Sequence, residues 1–363
     1  MEGEGSRSKT VCVTGAGGFV GSWLVKRLLS TGEYTVHGTV RDLGDRKTGH
    51  LRALDGAGER LRLFKADVLD YASVAYAVSG CGGVFHVASP VPADKPQNPE
   101  VEVLAPAVRG TQNVLKACHQ AKVGRVVVVS SAAAVAMNPS FPRDAVLDED
   151  AWSDEDYCRT TGVALTSPFP NQNYMWYALS KTLAEREALA HTEQTGLDVV
   201  TVCPPLVLGP LLQSVANTSS LVLINLLKGK PFFQRQQAIV DQFTRTYMSC
   251  FVACAGDPDT VEDKARNAVD VRDLADALVL AYESPEASGR YICGAYRKKL
   301  SEMAGIVKSF YPDLNQPKIF VEAEDEDKMV SSRKLQALGW KFRAVEECLR
   351  DSVESYRAAG LLE

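Results

Sequence analysis

The sequence predicts an α/β protein, a doubly wound parallel sheet followed by a smaller, mixed C-terminal lobe. Three observations carry this. Short β-branched runs alternate with helix-length amphipathic stretches over the first two-thirds of the chain. A glycine-rich turn directly follows the first such run and opens the first helical stretch. After Pro204 the periodicity loosens into a less regular mixture. A length of 363 residues is enough to bury a core in each of two lobes.

Taken in order, strands are expected at 10–14, 34–40, 61–65, 83–87, 125–130 and 199–203. Helices fall between them, at 22–30, 110–120 and 176–195. Crossovers of this kind are right-handed, which winds helices onto both faces of one sheet. Later helices are expected at 219–227, 274–282 and 300–310, with short strands at 289–292 and 318–321. The expected division is a flexible N-terminus at 1–9 and a dinucleotide-binding domain at 10–204, joined by a returning segment at 267–293. Residues 205–266 and 294–363 then form a substrate lobe.

Composition narrows the function. Hydrophobic residues make up 45% and charged residues 23%, with a net charge of -5. That balance excludes a broad electrostatic footprint for nucleic acid or an anionic membrane. No apolar run reaches the roughly 20 residues of a membrane helix, and residues 1–9 lack the apolar segment of a secretion signal. The nine cysteines are scattered, without paired CxxC motifs at zinc spacing. Cys250 and Cys254 can share a helix face, but two thiols do not close a metal site. A cytoplasmic protein with reduced thiols and no metal is expected, acting on a small molecule as a monomer or homodimer.

The glycine turn reads Thr14-Gly15-Ala16-Gly17-Gly18-Phe19-Val20-Gly21. Gly15, Gly18 and Gly21 have the spacing of a Rossmann dinucleotide site. One glycine makes the tight turn, one admits the pyrophosphate to the backbone, and one lets helix and strand pack closely. The helix N-terminus, at Phe19 and Val20, offers unpaired N–H groups to the phosphates. A glycine turn without that purpose would not need this strand and helix around it. The second strand ends Val40-Arg41-Asp42. An acid at that point favours NAD and an arginine the 2′-phosphate of NADP. Arg41 falls at the expected distance, Lys47 supplies a second cation, and Asp42 points the other way along a strand. NADPH is therefore the expected cofactor. Asp67 and Val68, after the third strand, are placed toward the adenine, and Val87, Ala88 and Ser89 end the fourth strand beside the cofactor.

Tyr177 and Lys181 form a Tyr-x-x-x-Lys pair on one helix face. In a carbonyl reduction, the oxygen that gains charge needs a proton. A tyrosine ionises near pH ~10 in water, and a neighbouring ammonium moves it toward neutrality. Tyr and Lys occur at this spacing by chance on many solvated helices, so position decides. The pair follows the strand that ends in Ser130-Ser131, where a hydroxyl can hold the carbonyl against the tyrosine. Strand alternation allows only one of the two serines to face the site.

These residues resemble the extended short-chain dehydrogenase/reductase family, specifically the plant cinnamoyl-CoA reductase and dihydroflavonol 4-reductase branch. The likeness spans nearly the whole chain and includes the stretches at 11–26, 65–71, 84–92, 125–135, 176–185, 204–210 and 269–277. The resemblance implies Ser131 as the catalytic serine, Tyr177 as proton donor and Lys181 as its partner. It also implies Asn113 as support for a proton relay, and Pro204, Val207 and Ser219 along the nicotinamide and cofactor phosphates. The implied activity is NADPH-dependent reduction of a hydroxycinnamoyl-CoA thioester or aromatic aldehyde. A dihydroflavonol-like ketone reductase and a catalytically impaired NADPH-binding splice form are the alternatives.

The chain departs from the family at several points. Ala178 stands where cinnamoyl-CoA reductases carry a cysteine able to pair with the equivalent of Cys158. A histidine and a lysine associated with coenzyme A binding should fall near Val222 and Asn225, and neither is present. Segments 162–172 and 230–255 have no counterpart in the family pattern and read as insertions beside the substrate lobe.

Overall fold

The computed structural model describes residues 9–89, 98–163, 172–228, 260–314, 316–323 and 328–362. Strands β1 (Lys9–Thr14), β2 (Tyr34–Val40), β3 (Leu61–Lys65), β4 (Gly83–His86) and β5 (Arg125–Val129) come first. They are followed by β6 (Val146–Leu147), β7 (Asp198–Cys203), β8 (Leu206–Leu208), β9 (Thr260–Asp263) and β10 (Ala265–Asp270). The last strands are β11 (Gly289–Ile292), β12 (Tyr296–Lys299), β13 (Ile319–Glu322) and β14 (Met329–Val330).

The helices α1 (Phe19–Ser30), α2 (Asp45–Arg52), α3 (Ala57–Arg60), α4 (Tyr71–Val78) and α5 (Ala105–Gln120) separate the early strands. A π-helical turn, Glu100–Leu104, leads into α5. Then come α6 (Ala133–Ala136), α7 (Glu155–Val163), α8 (Gln172–Thr195) and α9 (Thr218–Lys228). The chain closes with α10 (Val271–Glu283), α11 (Leu300–Phe310), α12 (Arg333–Ala337) and α13 (Val345–Ala358).

The main sheet has seven strands in the order β11-β7-β5-β4-β1-β2-β3. Every pairing in it is parallel. Central strands such as Arg125–Val129 are nearly all valine because both faces of the sheet are covered. One apolar core lies toward α1 and α10, where Leu24, Leu28, Phe85, Leu274 and Leu278 are fully buried. The opposite core lies toward α4, α5 and α8 and includes Val74, Val114, Leu115, Val126 and Ala188. Chain direction across the sheet reverses between β1 and β4, so a crevice opens at the C-terminal ends of these two strands.

A separate core is built by α9, α11, α13 and β8, with Leu223, Leu227, Met303, Val307, Leu349 and Val353. Here β8 and β12 flank β10 in a three-stranded sheet. Sequence periodicity misses β10 because all six of its residues are buried, Arg266, Asn267 and Asp270 among them. The expected insertion at 230–255 lies outside the described residues. Of the one at 162–172, Gly162 and the start of α8 are described, and the Gly162 carbonyl accepts a 3.1 Å bond from Trp176 Nε1.

Candidate active site

The glycine turn sits at the C-terminal end of β1, against β2 and β4. Gly15 N donates to Thr39 Oγ1 at 3.2 Å and Ala16 N to the Thr39 carbonyl at 3.0 Å. Gly15 adopts φ +69°, a conformation that favours glycine, and a Cβ there would stand 2.9 Å from Ala88 Cα. At Gly21 a Cβ would come within 2.2 Å of the Gly15 carbonyl oxygen. Gly18 is exposed, and as N-cap of α1 it supplies no side-chain bond to the first amides. Gly17 lies in the turn, Phe19 is buried and Val20 half-buried. The helix therefore presents an uncapped N-terminus ringed by residues too small to screen it, which is the shape a diphosphate requires.

Arg41 is exposed just beyond β2. Asp42 turns into its own loop, where Oδ1 accepts from Gly44 N at 3.0 Å. Lys47 is on α2, and its side chain lies outside what the structure describes. Asp67 is exposed and its Oδ1 accepts from Leu69 N at 2.9 Å, which shapes the turn that carries Val68. Val87, Ala88 and Ser89 continue from β4 as a half-buried strip beside Gly15.

Beneath that strip lies a network that sequence reasoning missed. Val87 N and Ala88 N both donate to Thr14 Oγ1 at 3.1 Å. With its lone pairs occupied, that hydroxyl directs its hydrogen to His86 Nδ1, 2.9 Å away. His86 is then the Nε2–H tautomer, facing Thr111 Oγ1 at 3.4 Å. Thr111 in turn donates to the Ala107 carbonyl at 3.0 Å. Burial, with the nearby charge of Lys181 second, pushes the His86 pKa down to about 3. The signal was present in the register, which sets Thr14 beside His86.

The two serines take opposite directions, as strand alternation requires. Ser130 is buried and its hydroxyl donates to Glu185 Oε2 at 2.7 Å. Ser131 is half-buried, and its hydroxyl accepts from Ala133 N at 3.1 Å at the mouth of α6. Pro204, directly after β7, is buried and accepts from Ala132 N at 2.9 Å, which pins the serine turn. Val207 is buried in β8, and Ser219 is half-buried in the first turn of α9.

Tyr177 and Lys181 lie one turn apart on α8. Tyr177 is half-buried and stacks at a tilt on Tyr174, with centroids 6.1 Å apart. Lys181 is buried and Nζ donates to the Val129 carbonyl at 3.4 Å. Burial draws the Lys181 pKa down to about 8, against the opposing charge of Glu185. Beside it is a cavity of about 20 Å³ lined by His86, Thr111, Ser130, Lys181 and Glu185. That is room for one water.

Asn113 is not brought into this group. Its amide donates to the Val68 carbonyl at 2.9 Å. Ala107 and Thr111 are the α5 residues that line the cavity, and two residues beyond Thr111 is more than half a turn around a helix. Through its bond to the Val68 carbonyl, Asn113 anchors the loop after β3.

Comparison with known proteins agrees with this geometry. A model described as the NAD dependent epimerase/dehydratase family matches residues 11–294. Cinnamoyl-CoA reductase 1 of Petunia hybrida is 41% identical over 360 residues, covering 98% of this chain and 94% of that protein. Among solved structures, vestitone reductase from alfalfa superposes with a TM-score of 0.77 at 31% identity, covering 97% of this chain and 99% of the other. Gre2 from Candida albicans in complex with NADPH gives a TM-score of 0.74 at 26% identity, with 97% and 99% covered. The chain belongs to the NAD dependent epimerase/dehydratase family, in its cinnamoyl-CoA reductase-like branch.

Proposed function

We propose that the protein is an NADPH-dependent reductase of phenylpropanoid carbonyls, acting on hydroxycinnamoyl-CoA thioesters or aromatic aldehydes. The observation that supports the reading is that the glycine turn after β1 and the serine turn after β5 lie at the C-terminal edge of one parallel sheet, where Lys181 of α8 bonds the Val129 carbonyl. NADPH fits the residues present, because Gly18 leaves the N-terminus of α1 without a side-chain cap, and Gly15 and Gly21 hold the turn and helix in a close approach that no Cβ would allow. Arg41 would hold the 2′-phosphate, its neighbour Asp42 being engaged with Gly44. Phe19 and Val20 would offer their amides to the diphosphate, and Lys181 would bond the nicotinamide ribose. When bound, the cofactor supplies the hydride.

The protein's own part is positioning and proton transfer. Ser131 holds the carbonyl oxygen, the Tyr177 hydroxyl gives that oxygen its proton, and the Lys181 ammonium stabilises the phenolate left behind. The likeness to cinnamoyl-CoA reductase 1 of Petunia hybrida and to vestitone reductase from alfalfa supports an aromatic substrate. The described cysteines are free and buried, which supports a cytosolic setting.

A second reading, reduction of a dihydroflavonol-like or other aromatic ketone, is favoured by α9. Val222 and Asn225 are buried there and offer no cation to a coenzyme A phosphate. Both readings are tested by following NADPH oxidation with feruloyl-CoA, coniferaldehyde, phenylacetaldehyde and dihydroquercetin in parallel. Turnover that Tyr177→Phe lowers by at least about 10²-fold is expected, and the preferred substrate selects between them. NADPH binding without turnover on any of the four would favour the impaired form.

A further inference from the structure

Glu185 follows Lys181 by one turn of α8, so residues 177, 181 and 185 form a single stripe on that helix. Its carboxylate is buried and surrounded by donors. Ser130 Oγ bonds Oε2 at 2.7 Å, while Thr201 Oγ1 and Cys203 Sγ reach Oε1 at 2.7 and 3.1 Å. Arg290 contributes Nε to Oε1 at 2.9 Å and Nη2 to Oε2 at 3.2 Å. The guanidinium is itself fixed by the Ala134 carbonyl at 3.0 Å, by the Ala151 carbonyl, and by the Trp152 face 3.6 Å away. Such a clamp leaves the carboxylate one rotamer. It also spans the elements that present the reacting groups: β5 with its serines, α6, and α8.

Structural cohesion alone does not require this carboxylate to border the cavity that Lys181 borders, yet it does. Among the described residues, the charged and titratable groups around Lys181 are Glu185 from α8, His86 from β4 and Cys203 from β7, with Arg290 from β11 behind Glu185 and Tyr177 one turn back on α8. Thr111 and Ser130 complete the wall without charge. His86 is neutral and Cys203 is held as a thiol by burial. Among the described residues that line this cavity, Glu185 is the acidic one.

We propose that Glu185, clamped by Arg290, is a positioning residue that keeps the Lys181 side chain charged and fixes the serine turn against α8. The inference rests on the reading of Tyr177 and Lys181 given above. Removing the carboxylate leaves Lys181 to lose its proton at lower pH. The alkaline limb of kcat/KM then moves toward neutrality, and Tyr177 loses the ammonium that favours its phenolate.

The test compares wild type, Glu185→Gln and the double variant Glu185→Gln/Arg290→Met, which removes the stranded guanidinium should the single variant fail to fold. Folding is checked by thermal melting and NADPH binding at pH 6. The expected result in a folded variant is a downward shift of the alkaline limb by at least about one pH unit. Tyrosinate absorbance near 295 nm, as the difference between each protein and its Tyr177→Phe counterpart, should rise at higher pH in the variant. A folded double variant with an unchanged pH profile and tyrosinate onset would overturn the proposal and leave Glu185 a structural residue. Should wild type turn over no carbonyl, the reductase reading fails, and the tyrosinate difference still decides the role of Glu185.

Discussion

His86 shows how one buried side chain can be made to stay neutral. Its tautomer follows from a donor on one side, Thr14, and an acceptor on the other, Thr111, and burial moves its pKa from the ordinary 6.5 to about 3. A histidine depressed in this way stabilises the fold above pH ~6.5, and the contribution is lost as the pH falls toward the folded value. Between pH 7.5 and 5.0, urea unfolding should show wild type losing about 2 kcal/mol more than His86→Gln. Equal losses would mean that the ring is not held neutral. The same burial raises the thiols of Cys12, Cys203 and Cys293 far above their usual range, so these cysteines are packing residues rather than nucleophiles.

At the level of elements, the glycine turn and α1 form a joint with no spare volume. Gly21→Ala puts a methyl 2.2 Å from a backbone oxygen that cannot step aside, at an expected cost of about 1–3 kcal/mol in stability and a large loss of NADPH affinity. Gly49→Ala, in α2 with nothing within 4 Å of its Cβ, should leave both unchanged. Melting and cofactor titration of the pair check this. These features also show what was legible in the sequence. The turn, Arg41, and the Tyr177 and Lys181 pair were readable because each is defined over a few residues of one strand or helix. The strands of the main sheet were readable because burial on both faces writes itself as valine runs. Glu185 could have been found from its place one turn after Lys181, but its partner Arg290 is 105 residues away, and no local pattern announces such a pairing. The second lobe was less legible, since β10 buries arginine, asparagine and aspartate and breaks the expected alternation.

Across the whole molecule, the two cores are tied at the crevice. Trp23 Nε1 of α1 reaches the Pro210 carbonyl at 2.7 Å, and Leu211 N reaches Ser355 Oγ of α13 at 2.8 Å. Arg272 joins α10 to α13 through Asp351 at 2.5 Å. A ligand filling the crevice should therefore stabilise the molecule as a unit. NADPH at about 100 times its Kd is expected to add about 2.7 kcal/mol and raise the melting temperature more than NADH does. Arg41→Ala should narrow that difference, and a preference for NADH would contradict the assigned role of Arg41. The long reach of Arg290 has a consequence for biosynthesis. A polypeptide emerging from the ribosome folds its N-terminal units first, so the early strands and α8 can assemble while β11 is still unmade. Until then Glu185 lacks its counter-ion and the Ala134 carbonyl of α6 lacks its bond from Arg290. A nascent chain stalled before residue 289 would hold Ser131, Tyr177 and Lys181, the side chains proposed to act, and still lack the clamp on Glu185, so on that proposal competence arrives only late in synthesis.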